Sequence, residues 1–129
     1  MKVTCWVVPV EKDDVPRLRE LAAALEGPAR GAYVSCQRRT GAAREMCFLW
    51  ETADRAYCLL YLQSDDIRAT MEAFENSTDP FDAWFREQLG LVSAGWPDPG
   101  WGAHPTPGVA ELLSVYESAD ESLTAHDAG

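Results

Sequence analysis

The run from Glu45 to Gln63 is apolar in both of its alternating phases, and that limits the fold more than any other feature of the chain. It reads as two strands, Glu45–Glu51 and Arg55–Gln63, with Thr52-Ala53-Asp54 as a hairpin link. One phase is aromatic: Met46, Phe48 and Trp50, then Tyr57, Leu59 and Tyr61. The other is aliphatic or thiol: Cys47 and Leu49, then Cys58, Leu60 and Leu62. Neighbouring strand residues point to opposite faces, so both faces of this sheet need cover. A short chain covers one face with its own helices. The other must meet a partner or a ligand.

The 129 residues fit one domain, and a hydrophobic fraction of 47% supplies a core. A formal net charge of −10 argues against nucleic acid and against an anionic membrane surface, since both need clustered Lys and Arg. No stretch approaches the roughly 20 apolar residues of a membrane span. Met1–Pro9 is too short and mixed for a signal peptide and reads as a first strand, so a cytoplasmic location is expected. Cysteines 5, 36, 47 and 58 show no CxxC spacing, so neither a zinc site nor a redox dithiol is expected. They read as small buried hydrophobes in a reducing compartment. With only His104 and His126 available, a multi-histidine metal site is not expected.

Along the chain, Lys2–Val10 is β-branched and apolar, hence a strand. Val15, Leu18, Ala22 and Leu25 repeat at helical spacing, so Asp14–Glu26 is an amphipathic helix, with Asp13 or Asp14 as cap and Pro16 in its first turn. Gly27-Pro28 ends it. Ala29–Arg44 fits a second short helix or a strand, with helix preferred. After the hairpin, Ser64-Asp65-Asp66 signals a helix start, and Ile67, Met71 and Phe74 form its stripe to about Asn76. Asp79-Pro80 restarts a helix with Phe81, Trp84, Phe85 and Leu89 as its stripe and Gly90 as its end. Residues 95–108 are punctuated by glycine and proline and carry Trp96 and Trp101, which makes a loop. Val109–Ser118 reads as a last strand, with a helix as the alternative. The acidic tail 120–129 is expected to be disordered beyond a single domain of residues 1–119.

The order β, α, β, β, α, β is the split βαβ pattern, an α+β ferredoxin-like arrangement with a four-stranded antiparallel sheet and helices on one face. The aliphatic phase, extended to Val3, Cys5 and Val7, is expected to pack under the helices. That leaves Trp6, Phe48, Trp50, Tyr57 and Tyr61 on the open face, with Tyr116 as a further candidate. Such a patch exceeds what a soluble monomer normally leaves bare, and a second copy across a two-fold axis is its simplest cover.

With its Glu45–Asp66 hairpin, the Ser-Asp-Asp exit and the stretch Phe74–Asp82, the chain resembles the dimeric α/β-barrel superfamily over residues 2–119. That superfamily includes antibiotic-biosynthesis monooxygenases, aromatic polyketide cyclases, muconolactone isomerase and rhamnose mutarotase, and the chain looks most like an uncharacterised family of this type. The 95–108 loop departs from the pattern as a long insertion able to lid a cavity. The resemblance implies a homodimer and an apolar, ring-bearing or polyketide-like small molecule held between sheet and helices.

For chemistry, Tyr57 and Tyr61 read either as phenols that orient or protonate a ligand or as packed rings of a dimer core. Trp6, Phe48 and Trp50 would be cavity walls, and Gln63 would fix a polar ligand group or simply reach water. Asp79 and Asp82 flank a helix start; both suit caps, and Asp82 is the candidate general base. Glu75 suits a solvated face. His104, beside Trp101 and Pro105, is the first catalytic suspect if the loop folds over the barrel mouth, and otherwise a solvent-facing histidine. A haem on that histidine, known in some related barrels, is a minor alternative; no cofactor is expected. Arg39, with Arg38 and Arg44, holds a substrate anion or balances nearby carboxylates. The chain has no GxGxxG, P-loop, GxSxG or HExxH motif. The leading expectation is therefore a small-molecule biosynthetic enzyme doing cofactor-independent proton transfer (cyclisation, isomerisation or elimination) or oxygenation. The rival is a non-catalytic dimeric ligand-binding or accessory protein. A weaker third reading is a regulatory partner acting through the acidic tail.

Overall fold

The computed structural model describes residues 1–92, 108–109 and 111–116. Its long strands are β1 (Lys2–Val10), β2 (Ala42–Glu51) and β3 (Ala56–Ser64), and its helices are α1 (Val15–Glu26), α2 (Arg30–Thr40), α3 (Ile67–Asn76) and α4 (Pro80–Val92). A two-residue β4 (Gly108–Val109) pairs with Val7 and Trp6 of β1. The sheet is antiparallel in the order β2-β3-β1-β4, which matches the α+β arrangement expected of the element order.

Local chemistry sets the element ends. Gly41 closes α2 in the left-handed region at φ 89°, and its N–H donates to Gln37 O at 3.0 Å. Any other residue there would be strained by its Cβ. Asp66 caps α3 by accepting from Ala69 N–H at 3.0 Å. Asp79 accepts from Phe81 N–H at 2.9 Å, so it caps α4 ahead of Pro80 as the sequence suggests. Asp14 precedes α1 without a side-chain cap bond. The hairpin closes through Thr52 N–H to Arg55 O at 2.8 Å, so its loop takes in Arg55 and β3 starts at Ala56.

Residues 29–44 resolve as α2 followed by the start of β2, and α4 runs past Gly90 to Val92. The last strand is much shorter than Val109–Ser118. Residues 111–116 have no regular structure; Leu113 and Tyr116 are fully open to solvent, so Tyr116 does not extend the sheet.

The faces of β2 and β3 follow the sequence reading, but β1 is turned the other way. Trp6 pairs with Leu60 and Val8 with Cys58, so Trp6, Val8 and Val10 face the helices with Cys58, Leu60 and Leu62. Trp6 is only 3% exposed. Val3, Cys5 and Val7 share the open side with Leu59 and Tyr61. β1 is apolar in both phases, so alternation alone cannot orient it; volume does. The space beneath α3 and α4, beside Met71, Phe74 and Phe85, takes an indole where a valine would leave a void. Phe85 anchors that core, with Tyr33 edge-on at 5.7 Å and Phe74 at 5.5 Å.

On the opposite side Phe48 and Trp50 are more than half exposed, and Trp50 lies 5.4 Å from Tyr57 ring to ring. No helix among the described residues is long and apolar enough to cross a membrane.

Candidate functional site

Between the sheet and the helices lie two small adjoining cavities, of about 40 Å³ and about 60 Å³, and Glu45 lines both. Glu45 sits on the edge strand β2 in the same phase as Cys47 and Leu49, so its side chain turns under the helices. Its carboxylate accepts from the Tyr33 hydroxyl at 2.6 Å and from Gln37 Nε2 at 3.4 Å, both on α2. Tyr33 and Gln37 are four residues apart, one above the other on a helix face. The remaining walls are mostly apolar, including Trp6, Leu60, Met71, Phe74 and Phe85 in the smaller cavity, which Thr40 and Thr70 also line, and Leu21, Leu25 and Val92 in the larger.

Burial raises the Glu45 carboxyl above the ordinary carboxylate range, against the pull of the Tyr33 and Gln37 hydrogen bonds, which favour its charged form. Burial also pushes the Tyr33 phenol far up, and the neighbouring Glu45 charge adds to it. Tyr33 therefore stays protonated and acts as a donor, while Glu45 is the group able to exchange a proton. The larger cavity meets the surface where the exposed Ala22 and Cys47 line it, between α1 and β2.

Among the described candidate site residues from sequence, only Trp6 lines these cavities, from the helix side and not from the open face. Tyr57, Tyr61, Phe48, Trp50 and Gln63 lie on the other side of the sheet. Tyr57 borders an open groove with Lys12 and Arg55 at the hairpin end. Arg39 and Asp82 do meet. Arg39 Nη2 lies 2.6 Å from Asp82 Oδ1 and its Nε 3.2 Å from Oδ2, and Asp79 flanks the pair at 3.2 Å. Ser77 Oγ also donates to Asp82. Burial alone would raise the Asp82 carboxyl, but hydrogen bonds from Arg39, Cys36 and Ser77 outweigh it and hold the group low. Asp82 is thus a committed anion tying α2 to α4, and it lines neither cavity. His104 and Trp101 lie outside the described residues, as do the rest of the 95–107 loop and the tail. No group of three metal-binding side chains occurs among the described residues.

Glu45, Tyr33 and Gln37 escaped the sequence reading. The signal was there: a carboxylate in the buried phase of an otherwise apolar strand is costly unless it is used or well bonded.

No protein-family model matches the chain, and no curated protein sequence does. Among solved structures it is similar to tetracenomycin F2 cyclase from Streptomyces glaucescens, a type-II polyketide cyclase, with a TM-score of 0.55 and 15% identity. The likeness covers 92% of this chain and 99% of the cyclase. At that identity it shows a shared fold, the α+β antiparallel sheet with helices on one side.

Proposed function

We propose that this chain is a small-molecule enzyme of cyclase type in secondary metabolism, in which Glu45 moves the proton. The observation that carries it is the part-buried Glu45 carboxyl, raised by desolvation and held by Tyr33 and Gln37 at the edge of a mostly apolar interior. A carboxylate with a raised pKa is the stronger base, and near its pKa it can both take and return a proton. In an aldol-type ring closure Glu45 removes a proton from the carbon next to a substrate carbonyl. That carbon then attacks a second carbonyl, and protonated Glu45 returns the proton to the new alkoxide, giving a hydroxyl. Glu45 then removes a second proton from the same carbon and delivers it to that hydroxyl, which leaves as water as the C=C bond forms. Tyr33 and Gln37 keep the carboxylate aimed, while the rings of Trp6, Phe74 and Phe85 wall the substrate and exclude water. This arrangement favours proton transfer over oxygenation, since the side chains present supply a base and orienting donors. The cyclase likeness supports it at the level of fold.

The cavities of about 40 and 60 Å³ are smaller than the several hundred Å³ of a typical ligand site. A ring-bearing substrate therefore needs α1 and α2 to part above β2. The same small volume favours the second reading, a non-catalytic accessory protein. In either case the exposed Phe48 and Trp50 suit a second copy of the chain, packed sheet to sheet as a homodimer.

Incubating the protein with a linear aromatic poly-β-ketone and following ring closure by mass and absorbance tests the reading. Cyclisation by the wild type, with a loss of at least about a hundredfold in kcat for Glu45→Gln, is expected of a positioned general base. Equal rates for the two proteins would remove Glu45 from the chemistry. Absence of both turnover and binding would favour the accessory role.

A further inference from the structure

Cys47 and Cys58 stand on neighbouring strands, offset by one step of the ladder: Cys47 pairs with Leu60, and Cys58 with Leu49. Both side chains lie on the helix side and line the larger cavity. Their sulfurs are 2.9 Å apart, and both are free thiols. A disulfide of about 2.05 Å needs the sulfurs to close by about 0.9 Å.

The two thiols are not equivalent. Cys47 is exposed on the edge strand, while Cys58 is half-buried on the inner one. The hydrogen bond shared with Cys58, in which either sulfur can donate, draws the Cys47 thiol down, with burial opposing it. Cys58 is pushed up, first by that same bond and then by burial, so it keeps the proton. The other two cysteines are placed differently. Cys36 is 1% exposed and bonded to Asp82, and Cys5 lies on the opposite face of the sheet with its thiol raised by burial.

We propose that Cys47 and Cys58 are a peroxide-reactive thiol pair at the rim of the Glu45 cavity, Cys47 attacking and Cys58 resolving. The Cys47 thiolate attacks one oxygen of hydrogen peroxide; the O–O bond breaks, and hydroxide leaves and is protonated to water. Cys47 is then a sulfenic acid. The Cys58 sulfur gives up its proton and attacks the Cys47 sulfur; the S–O bond breaks and a second water leaves. Two thiols lose two electrons, and one peroxide becomes two waters. The resulting bond staples β2 to β3 two residues from Glu45, on the face where a ligand would pass. None of this depends on Glu45 being catalytic.

The test treats the reduced full-length protein with one equivalent of hydrogen peroxide, then denatures it and alkylates the remaining thiols. Two of the four thiols should stay alkylatable, Cys5 and Cys36, and a peptide pair joining Cys47 to Cys58 should appear two hydrogens lighter. With Cys58→Ser the reaction should stop at a Cys47 sulfenic acid, trapped by dimedone. Four alkylatable thiols, oxidation centred on Cys5, or a disulfide joining two chains would each overturn the proposal.

Discussion

Tyr33 on α2 donates its hydroxyl to Glu45 on β2 over 2.6 Å, tying a helix to the sheet edge across an apolar space. Because burial raises the folded-state pKa of Glu45, the folded chain keeps a proton that the unfolded chain releases near its ordinary value of about 4.3. Stability from this group is therefore fully present below that unfolded value. It is lost as pH rises through the folded value and is level above it. Glu45→Gln cannot ionise, so at neutral pH the variant should gain stability relative to wild type, and at about pH 4 the gap should close. Urea midpoints measured across that range check this. A wild-type-minus-variant difference that does not change with pH would mean that the carboxyl is not desolvated.

Removing only the Tyr33 hydroxyl makes the opposite demand on the same carboxyl. The Tyr33 hydrogen bond favours ionised Glu45, and Tyr33→Phe deletes it while keeping the ring against Phe85. The Glu45 pKa should then rise further, and a carboxyl-carbon NMR titration reads it directly. If it stays where it is in the wild type, Gln37 or water holds the carboxylate and not Tyr33.

Asp82 behaves in the reverse sense. Its folded pKa is held low, so its contribution is present above the ordinary aspartate value and is lost as pH falls through the folded one. Asp82→Asn removes the charge that exposed Arg39, half-buried Ser77 and buried Cys36 converge on, leaving a buried amide poorly matched to their donors. A loss of about 2 to 3 kcal/mol at neutral pH is expected, shrinking in acid as the wild-type carboxyl protonates. Denaturant unfolding at neutral and acid pH measures both. A neutral substitution would show that the pair adds nothing to the packing of α2 on α4.

These contrasts show what a one-dimensional pattern carries. The faces of β2 and β3 were legible because their aromatic and aliphatic phases differ, and the start of α4 because Asp79-Pro80 has few other uses. β1 was not legible: Val3, Cys5 and Val7 are as apolar as Trp6, Val8 and Val10, and only the volume under Phe74 and Phe85 chooses between them. The ion pair drew on two residues that sequence did single out, Arg39 and Asp82, but 43 positions separate them and nothing local links them. Tyr33 and Gln37 were hidden because the segment around them hovers between helix and strand. Glu45 was visible as a carboxylate in the buried phase, yet its use needed α2 placed above it.

The orientation of β1 makes the final prediction a comparison of two tryptophans. Trp6 is 3% exposed and packs with Leu60, Met71 and Phe74, so Trp6→Ala opens a cavity in the core. Its cost should be about 3 to 5 kcal/mol. Trp50 is 57% exposed on the other face and touches Tyr57, so within one chain Trp50→Ser removes little buried area. If two copies meet on this face, Trp50→Ser combined with Phe48→Ser strips large anchors from the interface while each chain stays folded. Sedimentation should then show a dimer for the wild type and a monomer with unchanged circular dichroism for the double variant. A monomeric wild type, or a double variant that stays dimeric, would place the interface elsewhere and leave the aromatic face to another partner.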